Sequence, residues 1–165
     1  MVAANGNADG YISIAGAGRP IDEVLLEQIG KQAPFLKEEV EKNLATLKSG
    51  NTFELKNQML ASLFRASVQP YMISWIKYNP QYEIKKLQIP SLLINGDKDI
   101  QVSVQDAQLL QQAKPNAQLH IIPDMNHIFK VIQGDDIENK ASYTNPELPI
   151  STELSLIIST FIQSL

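Results

Sequence analysis

Apolar and polar positions follow three different rhythms along this chain. Tyr11 to Ala15, with Ile12 and Ile14 flanking Ser13, is a short β-prone run that stops at Gly16-Ala17-Gly18-Arg19-Pro20, which predicts a strand ending in a loop. From residue 21 to about 78 the spacing becomes helical, with Val24, Leu25 and Ile29, then Leu36, Val40, Leu44 and Leu47, then Leu55, Met59, Leu60 and Leu63, then Met72, Ile73 and Ile76. Breaks at Pro34, at Ser49-Gly50-Asn51-Thr52 and at Pro70 divide this block into about four helices, the third entered through an approximate cap at Thr52.

After Asn79-Pro80 the rhythm changes again. Ile89-Pro90-Ser91-Leu92-Leu93-Ile94-Asn95-Gly96 is a nearly unbroken apolar run, as expected of a strand covered on both faces of a parallel sheet. Residues 103–113 predict a helix capped by Ser103, with Ala107, Leu109 and Leu110 inward, and residues 118–122 predict a further strand. Residues 133–149, rich in Asp, Asn, Ser and Pro, read as a long surface loop, and a final amphipathic helix runs from about 150 to 162. Strand, helix, strand, helix in that order implies parallel βαβ topology. The expected fold class is therefore α/β: a small parallel sheet at residues 11–15, 92–95 and 119–122, with a helical insertion at 20–79 inside one partial domain spanning 1–165.

Composition narrows the partners more than the fold. At 165 residues, against about 150 per domain, one domain is the working count. A hydrophobic share of 44% and a charged share of 19% exclude wholesale disorder and rod-like coiled coils. Fourteen basic against eighteen acidic residues give a net charge of -4, so neither nucleic acid nor an anionic membrane is an expected partner. The first ten residues lack a basic stretch followed by an apolar one, and no window nears the ~18 apolar residues of a membrane span, so a cytoplasmic location is the default expectation. With no cysteine there is no disulfide, thiolate metal site or cysteine nucleophile.

Candidate chemistry concentrates after the two later strands. Gly96-Asp97-Lys98-Asp99 puts a carboxylate at the carboxyl end of one strand, where open α/β sheets build their sites. Pro123-Asp124-Met125-Asn126-His127 delivers an imidazole to the same edge from the next strand. If the strands are neighbours, Asp99 can fix the tautomer of His127 and leave its other ring nitrogen as a general base. His120 lies inside a predicted strand and is read as structural. Asp97-Lys98-Asp99 lacks the glycine and closing glutamate of a calcium loop, and Gly16-Ala17-Gly18 lacks the third glycine of a dinucleotide turn. Arg19 reads as structural or solvated, and Phe64, Tyr71, Met72, Trp75 and Tyr78 read as a helix-packing stripe.

Gly-x-x-Asp-x-x-Val following Ile-Pro-x-Leu-Leu-Ile, then Asn-His-x-Phe after the next strand, resembles the C-terminal half of the α/β-hydrolase family. The resemblance implies that Asp99 is the triad acid, that His127 is the triad base, and that residues 20–79 lie where many members insert a helical cap. It further implies a serine hydrolase of small esters, thioesters or amides, with no metal or organic cofactor. The family's nucleophilic Gly-x-Ser-x-Gly turn is missing from the sequence, so the chain is expected to be inactive alone. The alternative is a non-catalytic binding or assembly module. In either case a homodimer is expected, burying the vacant edge of the first strand.

Overall fold

The computed structural model describes residue 6 and residues 8–165. They form two compact units: Arg19–Asn79, and a second made of the stretch ending at Gly18 together with Pro80–Leu165.

The second unit is the α/β part. Its strands β1 (Tyr11–Ile14), β2 (Ser91–Gly96) and β3 (Gln118–Ile122) lie parallel in the order β1-β2-β3, with Ile14 opposite Ile94 and Ile94 opposite His120. β2 is buried along its whole length because both faces are covered. On one face Leu92 and Ile94 pack with Ile122, Met125, Leu154 and Phe161. On the other, Leu93 packs with Ile84, Leu87, Leu110 and Ala117. These alternating side chains divide one apolar run between two cores, the period-two consequence of a pleated strand. β3 is an edge strand, so His120 is exposed and makes no contribution to either core.

Among the helices of this unit, α6 (Val104–Ala113) crosses from β2 to β3. Its buried Asp106 accepts from the Gly18 backbone N–H at 3.0 Å and from the Ser103 hydroxyl at 2.9 Å. Ser103 stands at the helix start, as its sequence implies, but its hydroxyl donates to Asp106 and does not cap a backbone N–H. Leu110 is buried and Leu109 only half-buried. Gly16-Ala17-Gly18 is thus a turn tied to α6, and a Cβ at Gly18 would collide with the Asp106 carbonyl. The last helix, α8 (Thr152–Gln163), is capped by Ser151, which accepts from the Leu154 N–H at 3.2 Å.

Two further helices of this unit depart from the sequence reading. One is α5 (Pro80–Lys85), opened by the proline that the sequence presents as a break. The other is α7 (Asp136–Ser142), inside the stretch 133–149 expected to be loop. Asp135 caps it by accepting from the N–H groups of Ile137 and Glu138 at 2.9 and 3.1 Å, and Glu138 stands three residues beyond the cap. That local signal outweighs the polar composition.

The helical unit contains α1 (Ile21–Gln32), α2 (Lys37–Lys48), α3 (Ala61–Phe64) and α4 (Gln69–Ile76). Its inward positions include Val24, Leu25, Val40, Leu44, Leu47, Phe64, Met72 and Ile76, as the helical spacing implies. Thr52 does not start a helix. Buried Gln69 accepts from the Phe53 N–H at 2.9 Å and donates to the Phe53 and Phe64 carbonyls at 2.9 and 2.7 Å. With the backbone of Phe53 bound in this way the segment stays non-helical, and the third helix shrinks to one turn. Of the aromatic and methionine stripe, Phe64 and Met72 are buried, whereas Tyr71, Trp75 and Tyr78 are exposed. Arg19 pairs with Glu27 at 2.5 Å, and Lys31, first, and Arg19, second, hold the Glu27 carboxyl below its ordinary range.

No helix among the described residues is long and apolar enough to cross a membrane.

Candidate active site

Backbone geometry brings the turns after β2 and β3 together. Asp97 N–H donates to the Ile122 carbonyl at 3.3 Å, and Lys98 N–H donates to the Met125 carbonyl at 3.1 Å. Close approach is needed here: a Cβ at Gly96 would fall inside the van der Waals envelope of the Met125 carbonyl oxygen. The Asp97 carboxylate accepts from the Asp124 N–H at 2.7 Å, locking the same two turns from the side-chain level.

Asp99 and His127 meet across this seam. His127 Nδ1 lies 2.8 Å from Asp99 Oδ2. The other carboxylate oxygen, Oδ1, accepts from the N–H groups of Gln101 and Val102, both at 2.8 Å. The Asp99 side chain is fully buried, and that of His127 is 28% exposed. A carboxylate can only accept, so Nδ1 donates to Asp99, and in the neutral imidazole Nε2 is then the nitrogen without a proton. The arrangement is a carboxylate-oriented, partly exposed imidazole, of the kind able to remove a proton from a hydroxyl or a water.

Among the described residues, Ala15 (φ 50°) just after β1 and Asp124 (φ 58°) just after β3 have left-handed backbone, as does Phe129 (φ 65°), two residues beyond His127. Such conformations are costly for a bulky residue like Phe129 and persist where surrounding bonds over-determine them. Asn126, 1% exposed, supplies those bonds. Its Oδ1 accepts from the N–H groups of Ile128 and Lys130 at 3.2 and 3.1 Å, and its carbonyl accepts from the Phe129 N–H at 3.0 Å.

The sequence placed Asp99 and His127 at this edge but gave no role to what surrounds them. Asn139, Ser142 and Tyr143 come from the stretch read as loop; the cap-and-glutamate signal at Asp135 and Glu138 was the cue that a helix would present them. The Tyr143 hydroxyl is buried and makes no well-formed hydrogen bond to the described residues. Burial, chiefly, and the nearby Asp99 carboxylate push its phenol upward, against a smaller opposite pull from the Gln101 side chain and the His127 backbone. Among the described residues no group of three or more His, Asp or Glu is gathered as a metal site would require.

No family model matches the chain. It is 26% identical over 155 residues to Esterase EstD of Thermotoga maritima, a match covering 86% of this chain and 34% of that protein. The crystal structure of BpoC of Mycobacterium tuberculosis H37Rv, a candidate non-heme bromoperoxidase, superposes with a TM-score of 0.51 at 12% identity, covering 99% of this chain and 61% of that one. The chain thus spans about a third of the length of the curated relative it matches. A small parallel three-stranded sheet flanked by helices, superposing over nearly the whole chain on part of BpoC, gives this chain part of the α/β-hydrolase fold, and its sequence is similar to that of an esterase.

Proposed function

We propose that Asp99 and His127 are the orienting acid and the general base of an ester-hydrolysing site. The nucleophile is supplied from outside these 165 residues, so that the chain does not turn over substrate alone. The observation carrying this reading is the 2.8 Å contact between Nδ1 of His127 and a buried carboxylate whose second oxygen is already committed to two backbone N–H groups. In the completed site Nε2 takes the proton of the attacking hydroxyl, and the paired carboxylate stabilises the resulting imidazolium. The proton then passes to the alkoxide as the ester C–O bond breaks, and a water deprotonated by Nε2 in the same way releases the acyl group from the nucleophile, which takes the proton back and returns His127 to its starting tautomer. Ester substrates are favoured because the relative matched in sequence is an esterase. The helical unit Arg19–Asn79 interrupts the chain between β1 and β2, and on that ground it is read as the cap of such a site.

Intact-mass spectrometry after exposure to a serine-directed fluorophosphonate tests this reading on the chain and on His127→Ala. No adduct on either is expected. A stoichiometric adduct lost in His127→Ala would overturn the external nucleophile while keeping the base, and an adduct retained in His127→Ala would overturn the base itself.

A second reading, association through β1, is supported by a specific observation. β1 pairs only with β2 among the described residues, so its other edge offers unpaired backbone groups. A homodimer built on that edge would show twice the 18.4 kDa chain mass by light scattering, and a monomeric mass at micromolar concentration would refute it.

A further inference from the structure

α7 is attached to the rest of its unit in an unusual way. Its buried residues are Asn139 and Ser142, both polar, whereas Ile137 is 77% exposed. Hydrophobic burial therefore does not explain where this helix sits, and its hydrogen bonds must. Asn126 Nδ2 donates to Asn139 Oδ1 at 3.0 Å and to the Ser142 hydroxyl at 2.8 Å. Asn139 Nδ2 donates to the Lys98 carbonyl at 2.8 Å, and the Ser142 hydroxyl donates back to the Asn139 carbonyl at 2.6 Å. Lys98 Nζ reaches the Gly134 carbonyl at 2.6 Å, just ahead of the helix.

The partners of Asn139 are informative. Lys98 immediately precedes Asp99, and Asn126 immediately precedes His127. One carboxamide therefore joins the backbone entering the acid to the side chain that wraps the turn carrying the base. The amide orientation is fixed because Asn126 Oδ1 accepts from two backbone N–H groups, those of Ile128 and Lys130, which a reversed amide could not do. Donor and acceptor on Asn139 are fixed in turn. A fully satisfied buried network of this kind specifies geometry more than it adds stability.

We propose that Asn139 is a positioning residue for the Asp99–His127 pair, holding the two turns at the spacing that keeps Nδ1 on the carboxylate. This rests on the reading of that pair as an acid and base. Asn139 touches neither reacting group and acts only through Lys98 and Asn126.

The test is proton NMR of the full chain, following the His127 Nδ1–H proton, which a carboxylate partner moves to low field and protects from solvent. It is assigned by its loss in His127→Ala. In Asn139→Ala this proton is expected to exchange at least about tenfold faster or to vanish, the factor that one lost hydrogen bond supplies. In Ser142→Ala, which leaves the bridge from Lys98 to Asn126 intact, it should stay in place. Should Asn139→Ala fail to give dispersed amide signals, Asn139→Asp keeps the shape and the acceptor but cannot donate to the Lys98 carbonyl, and the same loss is expected. A signal unchanged in a folded Asn139 variant, or lost equally in Ser142→Ala, overturns the proposal. A missing signal in the unmodified chain would instead overturn the pairing of Asp99 with His127.

Discussion

Substituting Asp99 in two ways separates its structural work from its electrostatic work. Its carboxylate makes three hydrogen bonds, two from backbone N–H groups to Oδ1 and one from His127 Nδ1 to Oδ2, all at 2.8 Å. Asp99→Ala removes all three. Bonds to a charged acceptor are worth about 1.5–3 kcal/mol each, but water can reach some of the freed groups, so the loss should be about 3–5 kcal/mol. Asp99→Asn keeps an acceptor for Gln101 and Val102. It turns an N–H toward His127, whose Nδ1 must then accept and whose proton moves to Nε2. Only the charge and one partner preference are lost, about 1–2 kcal/mol. Urea unfolding followed by circular dichroism should therefore rank the unmodified chain above Asp99→Asn, and Asp99→Asn above Asp99→Ala by about 2 kcal/mol. Long-range proton–nitrogen correlation should show Nε2 protonated in Asp99→Asn alone, the tautomer that cannot act as a base. Equal stabilities for the two variants would refute the assignment of the backbone turn to Oδ1. An unchanged tautomer in Asp99→Asn would refute the control of His127 by this carboxylate.

Gly96→Ala would drive a methyl group into the Met125 carbonyl and part the two turns that carry Asp99 and His127; a loss of about 1–3 kcal/mol with disappearance of the low-field His127 proton is expected, and a variant keeping both would show the approach to be looser than described. Tyr143→Phe should leave stability near neutral pH within about 1 kcal/mol, because the buried hydroxyl has no well-formed bond to lose. The fold raises the Tyr143 phenol above its ordinary 10.0, so above that pH the unfolded chain releases its proton first and stability falls as pH rises through the folded value. Thermal melts between neutral and alkaline pH should show a smaller alkaline decline in Tyr143→Phe, and identical declines would contradict the burial of this group.

The strands were legible because their signals are local. A run such as Leu92-Leu93-Ile94 can only be buried on both faces, and the structure gives each face its own core. The helical spacing of 21–48 and 69–76 was legible for the same reason, since a single apolar stripe has to face inward. Where a distant partner took hold of the backbone, local reading failed. Gln69, sixteen residues beyond Phe53, holds Phe53 by its N–H and its carbonyl, and no propensity at Thr52 could report that.

The candidate site divides along the same line. The types and order of Asp99 and His127, each just beyond a strand, are properties of the sequence, and they sufficed to pair the two residues in expectation. That the pair is held through Asn126 and Asn139 is a property of tertiary structure alone. Hydrophobic periodicity announces itself along the chain, because burial repeats with the geometry of the element. A hydrogen-bonded carboxamide carries no such period: Asn139 reads as an ordinary polar residue of an exposed stretch until the turns after β2 and β3 arrive beside it.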